Sequence, residues 1–189
     1  DQLQVIAQTL GKIDEDLLRE IVDQLIQADR IVTDGMQSSY SFARWFAFSL
    51  DLIRGNTSMY EVGMDNPLLK IGELTDKSVF VAFSFHRYVA HTIEMAKLAR
   101  RHGVKVIVFT DSPISPITDY ADLVVSIQLP VRSTIDIAPT IFMILSSLIS
   151  MISLVDEERF QERVRSFDSI SPEGLFYHTI SRGIEGDES

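Results

Sequence analysis

The chain has 189 residues, no cysteine and a formal net charge of −10, from 27 acidic and 17 basic residues. This length suits one domain of ordinary size, and the lack of cysteine excludes a disulfide framework, a thiolate metal site and a cysteine nucleophile. It also favours a reducing, cytoplasmic location. The acidity argues against direct binding of nucleic acid, because neutralising phosphates requires a basic face.

The first half of the chain predicts a helix, a strand and a second helix. Asp14 suits a helix N-cap, and apolar residues recur at helical spacing from Leu17 to Ile26. A β-rich run at Ile31-Val32 then breaks at Gly35, and small polar residues lead into the next helix. The apolar face of that helix is Phe42, Ala43, Phe46, Ala47, Leu50 and Ile53, widened by Trp45 and Phe48, with Gly55 as its terminator.

Four further runs predict the remaining strands. They are Ser58–Val62, Val79–Phe83, Val104–Phe109 and Leu123–Ile127. A helix over Tyr88–His102 joins two of them, and Ser115-Pro116 suits the N-cap and first position of a short helical turn. Continuous apolar strands separated by helices are typical of parallel sheets covered on both faces. The sequence therefore predicts a doubly wound, flavodoxin-like α/β fold with about five parallel strands flanked by helices.

One segment, Ile137–Val155, has nineteen residues without a charge. Its length would allow a membrane span. Because Pro139, Thr140 and four serines dilute it, we interpret it instead as a buried helix or a subunit interface, and we expect a homodimer or higher homo-oligomer and no membrane partner. We assign residues 1–165 to the domain and residues 166–189 to a partly disordered tail. The chain begins at Asp1, and we expect it to be part of a longer protein.

Three loops are candidates for a binding site, because ligands of such sheets bind beyond the carboxyl ends of the strands. The first contains Gly35, Gln37, Ser38 and Ser39, where a helix start aims amide groups and hydroxyls at an anion; a plain structural turn is the alternative. The second spans Ser84 to Tyr88, and the third spans Thr110 to Pro116.

Individual side chains in these loops have two interpretations each. Arg87 offers a planar fork to a phosphate or carboxylate, or it pairs with a nearby acidic residue. Tyr88 contacts the ligand or is simply half-buried, while Thr110 and Ser112 are ligand contacts or turn residues. His86 and His91 are poorly spaced for a metal, so we predict no metal site, no cofactor and no catalytic residue.

The chain resembles the SIS (sugar isomerase) domain over about Leu17–Val155. The similarity lies in Ile31–Ala43, in Ser84-Phe85-His86-Arg87-Tyr88, in the strand and turn from Gly103 to Pro113, and in Ser115-Pro116 followed by Ala121-Asp122-Leu123-Val124. It is most similar to the effector-binding domain of RpiR/MurR-type bacterial transcription regulators.

The loops depart from the phosphosugar-binding pattern of that family. Its members usually carry G-x-G-x-S at the first loop and S-x-S-G-x-T at the second. Here Gln37 takes the place of the second glycine of the first motif, and only Ser84 of the second motif is kept. The second loop looks like the regulator subgroup with S-F-P-R-Y, with His86 in place of the proline.

The resemblance implies an effector sensor rather than an enzyme. It implies that a small anionic carbohydrate derivative, such as a sugar phosphate or related acid, binds across the three loops. The signal would pass through a dimer to an N-terminal helix-turn-helix domain outside this chain, which alone would contact DNA. A stand-alone aldose/ketose isomerase for sugar phosphates is the alternative, and a module without a ligand is a third reading.

Overall fold

The computed structural model describes residues 11–127 and 134–170, together with residues 7 and 9. Five strands form one parallel sheet in the order β2-β1-β3-β4-β5. The strands are β1 (Ile31–Gly35), β2 (Thr57–Met59), β3 (Val79–Ser84), β4 (Lys105–Thr110) and β5 (Leu123–Ser126). The predicted five-stranded parallel sheet is therefore confirmed, and its strand order is the flavodoxin-like one.

Within residues 11–127 and 134–170, six α-helices cover both faces of this sheet. They are α1 (Glu15–Gln27), α2 (Tyr40–Arg54), α3 (Pro67–Gly72), α4 (Ala90–Arg101), α5 (Thr134–Val155) and α6 (Glu157–Ile170). The apolar faces of α1, α2 and α5 pack in one core cluster, whereas α3 and α4 pack in a second cluster on the opposite face. Alternate residues of each interior strand enter the two clusters: Val81 and Phe83 face the α2 side, and Phe80 and Ala82 face the α4 side. This alternation explains the unbroken apolar runs of β3 and β4.

Several predicted boundaries were wrong by one or more residues. Helix α4 begins at Ala90 rather than at Tyr88, because Arg87 has a left-handed φ of 72° and Val89 is the extended N-cap. Strand β2 is shorter than predicted, and α3 was not predicted at all. Its start is fixed by Asn66, whose side chain accepts from the Leu68 and Leu69 amides.

One local prediction needs correction and another is confirmed in part. Phe48 does not widen the buried face of α2, since it is 64% exposed. Ser115-Pro116 does open a short turn, because the Ser115 carbonyl accepts from the Thr118 amide at 3.0 Å and from the Thr118 hydroxyl at 2.7 Å. The 3₁₀ helix itself is Thr118–Tyr120.

Helix α5 contains the uncharged segment. By length and mean hydropathy of 2.0, Ile137–Val155 could span a membrane, although a core helix passes the same test. Its inward face packs in the core beside α2 and includes Ile141, Ile144, Leu145, Leu148 and Ile152. Its outward face carries serines and exposes Met143 and Leu154. The packing of the inward face fits the interpretation of α5 as a core helix.

An ion pair fastens α6 to the end of α2. The Arg54 side chain is 2% exposed; it donates to Asp156 Oδ2 at 2.8 Å and to the Ile26 carbonyl at 2.6 Å. Arg159 of α6 in turn donates to the Arg54 carbonyl at 2.8 Å. Helix α6 continues past residue 165, where the sequence analysis placed a domain boundary, and the rest of the predicted tail lies outside the described residues.

Removing Asp156 tests this attachment. We expect Asp156→Ala to lower the free energy of unfolding by about 2–3 kcal/mol, because the buried Arg54 guanidinium would lose its counter-charge. Asp168→Ala, an exposed position on α6, is the matched control and should change the free energy by less than about 0.5 kcal/mol. Urea denaturation of both variants gives the comparison, and equal effects would contradict the assigned role of Asp156.

Candidate functional site

The three candidate loops begin on neighbouring strands at the carboxyl edge of the sheet. Strand β3 lies between β1 and β4, and the register places Gly35 beside Phe83 and Ser84 beside Thr110. The loops are also in direct contact. The Phe42 ring of α2 packs against Phe85 with 5.9 Å between ring centroids, and Asp111 accepts from the His86 amide at 3.1 Å. The predicted convergence of the loops is thus present in the fold.

The first loop depends on a glycine. A Cβ placed on Gly35 would lie 2.6 Å from the Ser39 carbonyl oxygen and 3.2 Å from the Ala43 Cβ. Only glycine therefore allows β1 to turn this tightly into a 3₁₀ turn, Gln37–Ser39, and then into α2. Ser39 is buried at the N-cap of α2, while Gln37 and Ser38 are exposed.

The second loop presents a buried hydroxyl and an exposed guanidinium. Ser84 is 3% exposed, and its Oγ has no hydrogen-bond partner among the described residues. Arg87 is exposed, and its side chain forms no ion pair or hydrogen bond with the part of the chain that the structure describes. The alternative reading of Arg87 as the partner of a nearby acidic residue thus finds no support in the geometry.

The third loop supports the second. The Asp111 carboxylate accepts from the His86 amide and, at 3.0 Å, from the Tyr88 hydroxyl. Burial, together with Asp111, raises the pKa of Tyr88 to about 12, so the phenol stays protonated and keeps donating. Thr110 is fully buried and donates to Ser115 Oγ at 2.9 Å, and Ser112 Oγ accepts from the Ile114 amide. These hydroxyls hold the loops together.

Two helices that follow neighbouring strands at this edge have N-termini without side-chain caps. Helices α2 and α4 have no side-chain cap hydrogen bond and no acidic residue in the first turn. By contrast, the side chains of Asp14 and Asn66 cap α1 and α3 with two hydrogen bonds each. At α2 the Tyr40 amide already donates to the Gln37 carbonyl of the 3₁₀ turn. The positive end of the helix dipole at both N-termini favours an anion.

One buried acidic residue at this edge was not singled out from the sequence. Asp34 precedes Gly35, is 0% exposed and, like Val32, faces the α4 side of the sheet. Burial raises its pKa to about 6, opposed by Thr92, by His91 and by the Gly35 amide. Thr92 is close enough to lower the pKa, but neither Asp34 oxygen has a partner with hydrogen-bond geometry among the described residues. The sequence feature that could have identified Asp34 is an acidic residue inside a β-rich run.

Other parts of the fold are less suited to a specific anion. A cavity of about 330 Å³ lies at the amino edge of the sheet, beside Arg30, Asn56 and Glu73. A second, of about 290 Å³, lies between α2, β2 and α6, beside Phe48 and Arg163. Within the described residues, no group of three or more acidic or histidine side chains could hold a metal ion.

Residues 24–156 match the sequence profile of the SIS domain. The chain belongs to the SIS domain family. Over 127 residues it is 30% identical to an uncharacterized HTH-type transcriptional regulator of Haemophilus influenzae. That match covers 64% of this chain and 41% of the regulator, so the chain spans well under half the length of this relative.

Solved structures share the fold at lower identity. The sugar isomerase domain of an RpiR transcription factor from Sphaerobacter thermophilus is 21% identical, with a TM-score of 0.79 over 89% of this chain and 94% of that one. Vibrio vulnificus NanR, complexed with ManNAc-6P, is 18% identical, with a TM-score of 0.77 over 89% of this chain and 65% of that one. A Methanococcus jannaschii protein, for which a 3-hexulose-6-phosphate isomerase function was inferred, has the same fold.

Two residues of this SIS domain have a left-handed backbone conformation at positions where the two loop patterns have glycine. Among the described residues other than glycine, Gln37 (φ 52°) and Arg87 (φ 72°) have positive φ. Counting from Gly35 and Ser84, they occupy the glycine positions of G-x-G-x-S and S-x-S-G-x-T. A left-handed φ costs an ordinary residue about 1–2 kcal/mol and persists where surrounding structure enforces it, which is common at functional sites.

Adding one methyl group to Gly35 tests the tight turn. We expect Gly35→Ala to lower the free energy of unfolding by about 1–3 kcal/mol, because the new Cβ meets the backbone of Ser39. Gly72→Ala is the matched control, since nothing lies within 4 Å of its added Cβ and its φ is not positive. Thermal denaturation of both variants is the measurement. A Gly35→Ala domain as stable as Gly72→Ala would contradict the close approach.

The raised pKa of Asp34 makes stability depend on pH. The folded state holds this proton more tightly, so the stabilisation is complete below the ordinary pKa of 3.8 and is lost as the pH rises through about 6. Relative to Asp34→Asn, the wild-type domain should therefore lose about 2 kcal/mol of unfolding free energy between pH 4 and pH 7. Urea titrations of both proteins across this range give the difference, and parallel curves would be inconsistent with a protonated, buried Asp34.

Proposed function

We propose that this SIS domain is the effector sensor of a cytoplasmic bacterial transcription regulator. Its ligand is a small anionic carbohydrate derivative, a sugar phosphate or related acid, bound at the carboxyl edge of the sheet. The observation that carries the proposal is the pair of uncapped helix N-termini of α2 and α4 beside the unpaired Arg87. An anion at this edge would be attracted by both helix dipoles and by the guanidinium.

The first and second loops supply the ligand contacts in this proposal. The Ser84 hydroxyl bonds to none of the described residues, and the Ser39 hydroxyl makes no cap hydrogen bond to α2. Arg87 offers a planar pair of donors. Gly35, Gln37 and Ser38 bring the backbone of the first loop against the anion. Tyr88, Thr110 and Ser112 line the same edge, and their present hydrogen bonds hold the loops in place.

The regulator part of the proposal draws on the related proteins. The Haemophilus relative is an HTH-type regulator, and the NanR structure holds ManNAc-6P. We infer a helix-turn-helix domain N-terminal to this segment that contacts DNA, with a dimer transmitting the signal. Because the chain carries a net charge of −10, DNA binding is assigned to that other domain. The dimer stays a prediction, for which the exposed apolar residues of α5 are candidate contacts.

A sugar-phosphate isomerase is the second candidate. Its support is the isomerase function inferred for a protein of the same fold. Isomerisation requires a general base close to the sugar carbons. The titratable Asp34 is 0% exposed, which places it out of reach of a substrate carbon. Turnover of an aldose phosphate by the purified domain would favour this candidate over the sensor.

Arg87→Ala tests the binding site. Three candidate ligands are screened first by thermal shift: ManNAc-6P, glucose 6-phosphate and glucuronate. A compound that binds the folded state raises its melting temperature. For any that binds, we expect Arg87→Ala to weaken affinity about ten- to a hundredfold in calorimetric titration, by loss of a charge-assisted contact of about 1.5–3 kcal/mol.

Arg101→Ala is the matched control for this experiment. Arg101 is an exposed arginine at the other end of α4, and its removal changes the net charge equally. It should leave affinity within about twofold of wild type, since exposed charges farther apart than a Debye length are largely screened. Equal losses in both variants would show that Arg87 acts only through overall charge and would remove it from the site.

A further inference from the structure

The carboxyl edge of this domain contains more negative than positive charge before any ligand arrives. Its three loops carry one guanidinium, Arg87, and one carboxylate, Asp111, which stays engaged with the His86 amide and the Tyr88 hydroxyl. Asp34 adds a second carboxylate directly behind the first loop. No ion pair joins Asp34 to any of the residues that the structure describes.

Asp34 lies where its charge acts on the bound anion. Asp34 is the residue of β1 directly before Gly35, and Gly35 starts the turn into α2. Asp34 faces the α4 side of the sheet, as Ser84 does by strand alternation, and its neighbours there are Thr92 and His91 of the first turn of α4. Since this environment is shielded from water, the field of the carboxylate is weakly screened.

The groups around Asp34 do not cancel its charge. Tyr60 stacks on His91 with 5.4 Å between ring centroids, and burial, with Asp34 and Asp65, raises the pKa of Tyr60. Thr92 Oγ1 and His91 Nε2 are buried without hydrogen-bond partners among the described residues. The neighbours of Asp34 on the loop after β2 and on α4 are therefore a phenol, a hydroxyl and a histidine ring. Within the described residues none of them forms an ion pair or hydrogen bond with Asp34, so its carboxylate repels an incoming anion.

The hydroxyl donors of the second loop are also few. The positions of the second serine and the threonine of S-x-S-G-x-T hold His86 and Val89, neither of which carries a hydroxyl. The Thr110 and Ser115 hydroxyls bond to each other. A phosphate dianion has three oxygens to satisfy, whereas the two oxygens of a carboxylate match the single Arg87 fork.

Resting on the proposed function, we propose that the effector binds through a single carboxylate as a monoanionic sugar acid, and that Asp34 is the residue that discriminates against phosphate dianions. Asp34 is a specificity-determining residue that acts through its field and not by contact, because it is fully buried. The domain thus differs in ligand class from the ManNAc-6P complex that shares its fold.

The test compares two ligands with the same sugar ring and different groups at the sixth carbon, a carboxylate in glucuronate and a CH2-linked phosphate in glucose 6-phosphate. Glucuronate and glucose 6-phosphate are titrated calorimetrically at pH 8 into the wild-type domain and into Asp34→Asn. Glucuronate should bind wild type at least about tenfold more tightly, and Asp34→Asn should shift this ratio toward the phosphate by about tenfold or more. Asp76→Asn, an exposed acidic residue before β3, removes the same charge at the amino edge and should leave the ratio unchanged.

Each outcome separates the two proposals. Tighter binding of glucose 6-phosphate by wild type, or an unchanged ratio in Asp34→Asn, overturns the carboxylate inference while leaving an anion-binding domain in place. If neither ligand binds, the sugar-acid inference is overturned. If ManNAc-6P also fails to bind, the proposed function is overturned as well. Asp34→Ser, which removes the same charge with a smaller side chain, replaces Asp34→Asn if the latter has lost its melting transition.

Discussion

The organisation of this domain depends on the close approach of Gly35 to the Ser39 carbonyl. Because no side chain lies between them, β1 can end and α2 can begin within five residues. That turn sets where α2 crosses the sheet and therefore where the Phe42 and Phe46 rings enter the core against Phe83. The same turn places the N-terminus of α2 at the carboxyl edge. One steric constraint thus serves both the core and the candidate site.

The sheet could be predicted from the sequence because its strands are buried on both faces. Unbroken apolar runs such as Val79–Phe83 have few alternatives once helices separate them, and they appear as β3 and β4 with nearly the predicted bounds. The boundaries failed where a side chain adopts an unusual backbone conformation. Nothing in the local sequence indicates that Arg87 has a positive φ, and this conformation delays α4 by two residues.

The sequence predicted the location of the candidate site, but it did not predict most of the hydrogen bonds between its loops. The carboxyl edge follows from the parallel fold, and Gly35, Ser39, Ser84 and Arg87 lie in its loops. The engagement of Tyr88 with Asp111, and of Thr110 with Ser115, depends on loops that meet only in three dimensions. Asp34 was missed because a single acid in a strand usually marks an edge or a solvent-facing position. Its burial depends on α4 lying over it.

Unsatisfied polar groups are concentrated at the edge that we propose binds a ligand. Among the described residues, seven have buried side-chain polar atoms without partners. Asp34, Ser84, His91, Thr92 and Ser126 lie at the carboxyl ends of strands or in the first turn of α4, whereas Arg54 and Thr140 lie elsewhere. Each such group costs about 1–3 kcal/mol in the unliganded fold. By contrast, Asp29 at the amino edge accepts from Ser78, from Thr75 and from the Arg30 amide. Because most of the unpartnered groups among the described residues lie at the carboxyl edge, that edge keeps hydrogen-bonding capacity for a ligand. A ligand that hydrogen-bonds to these groups does not have to remove water from them, because they lost their water when the protein folded.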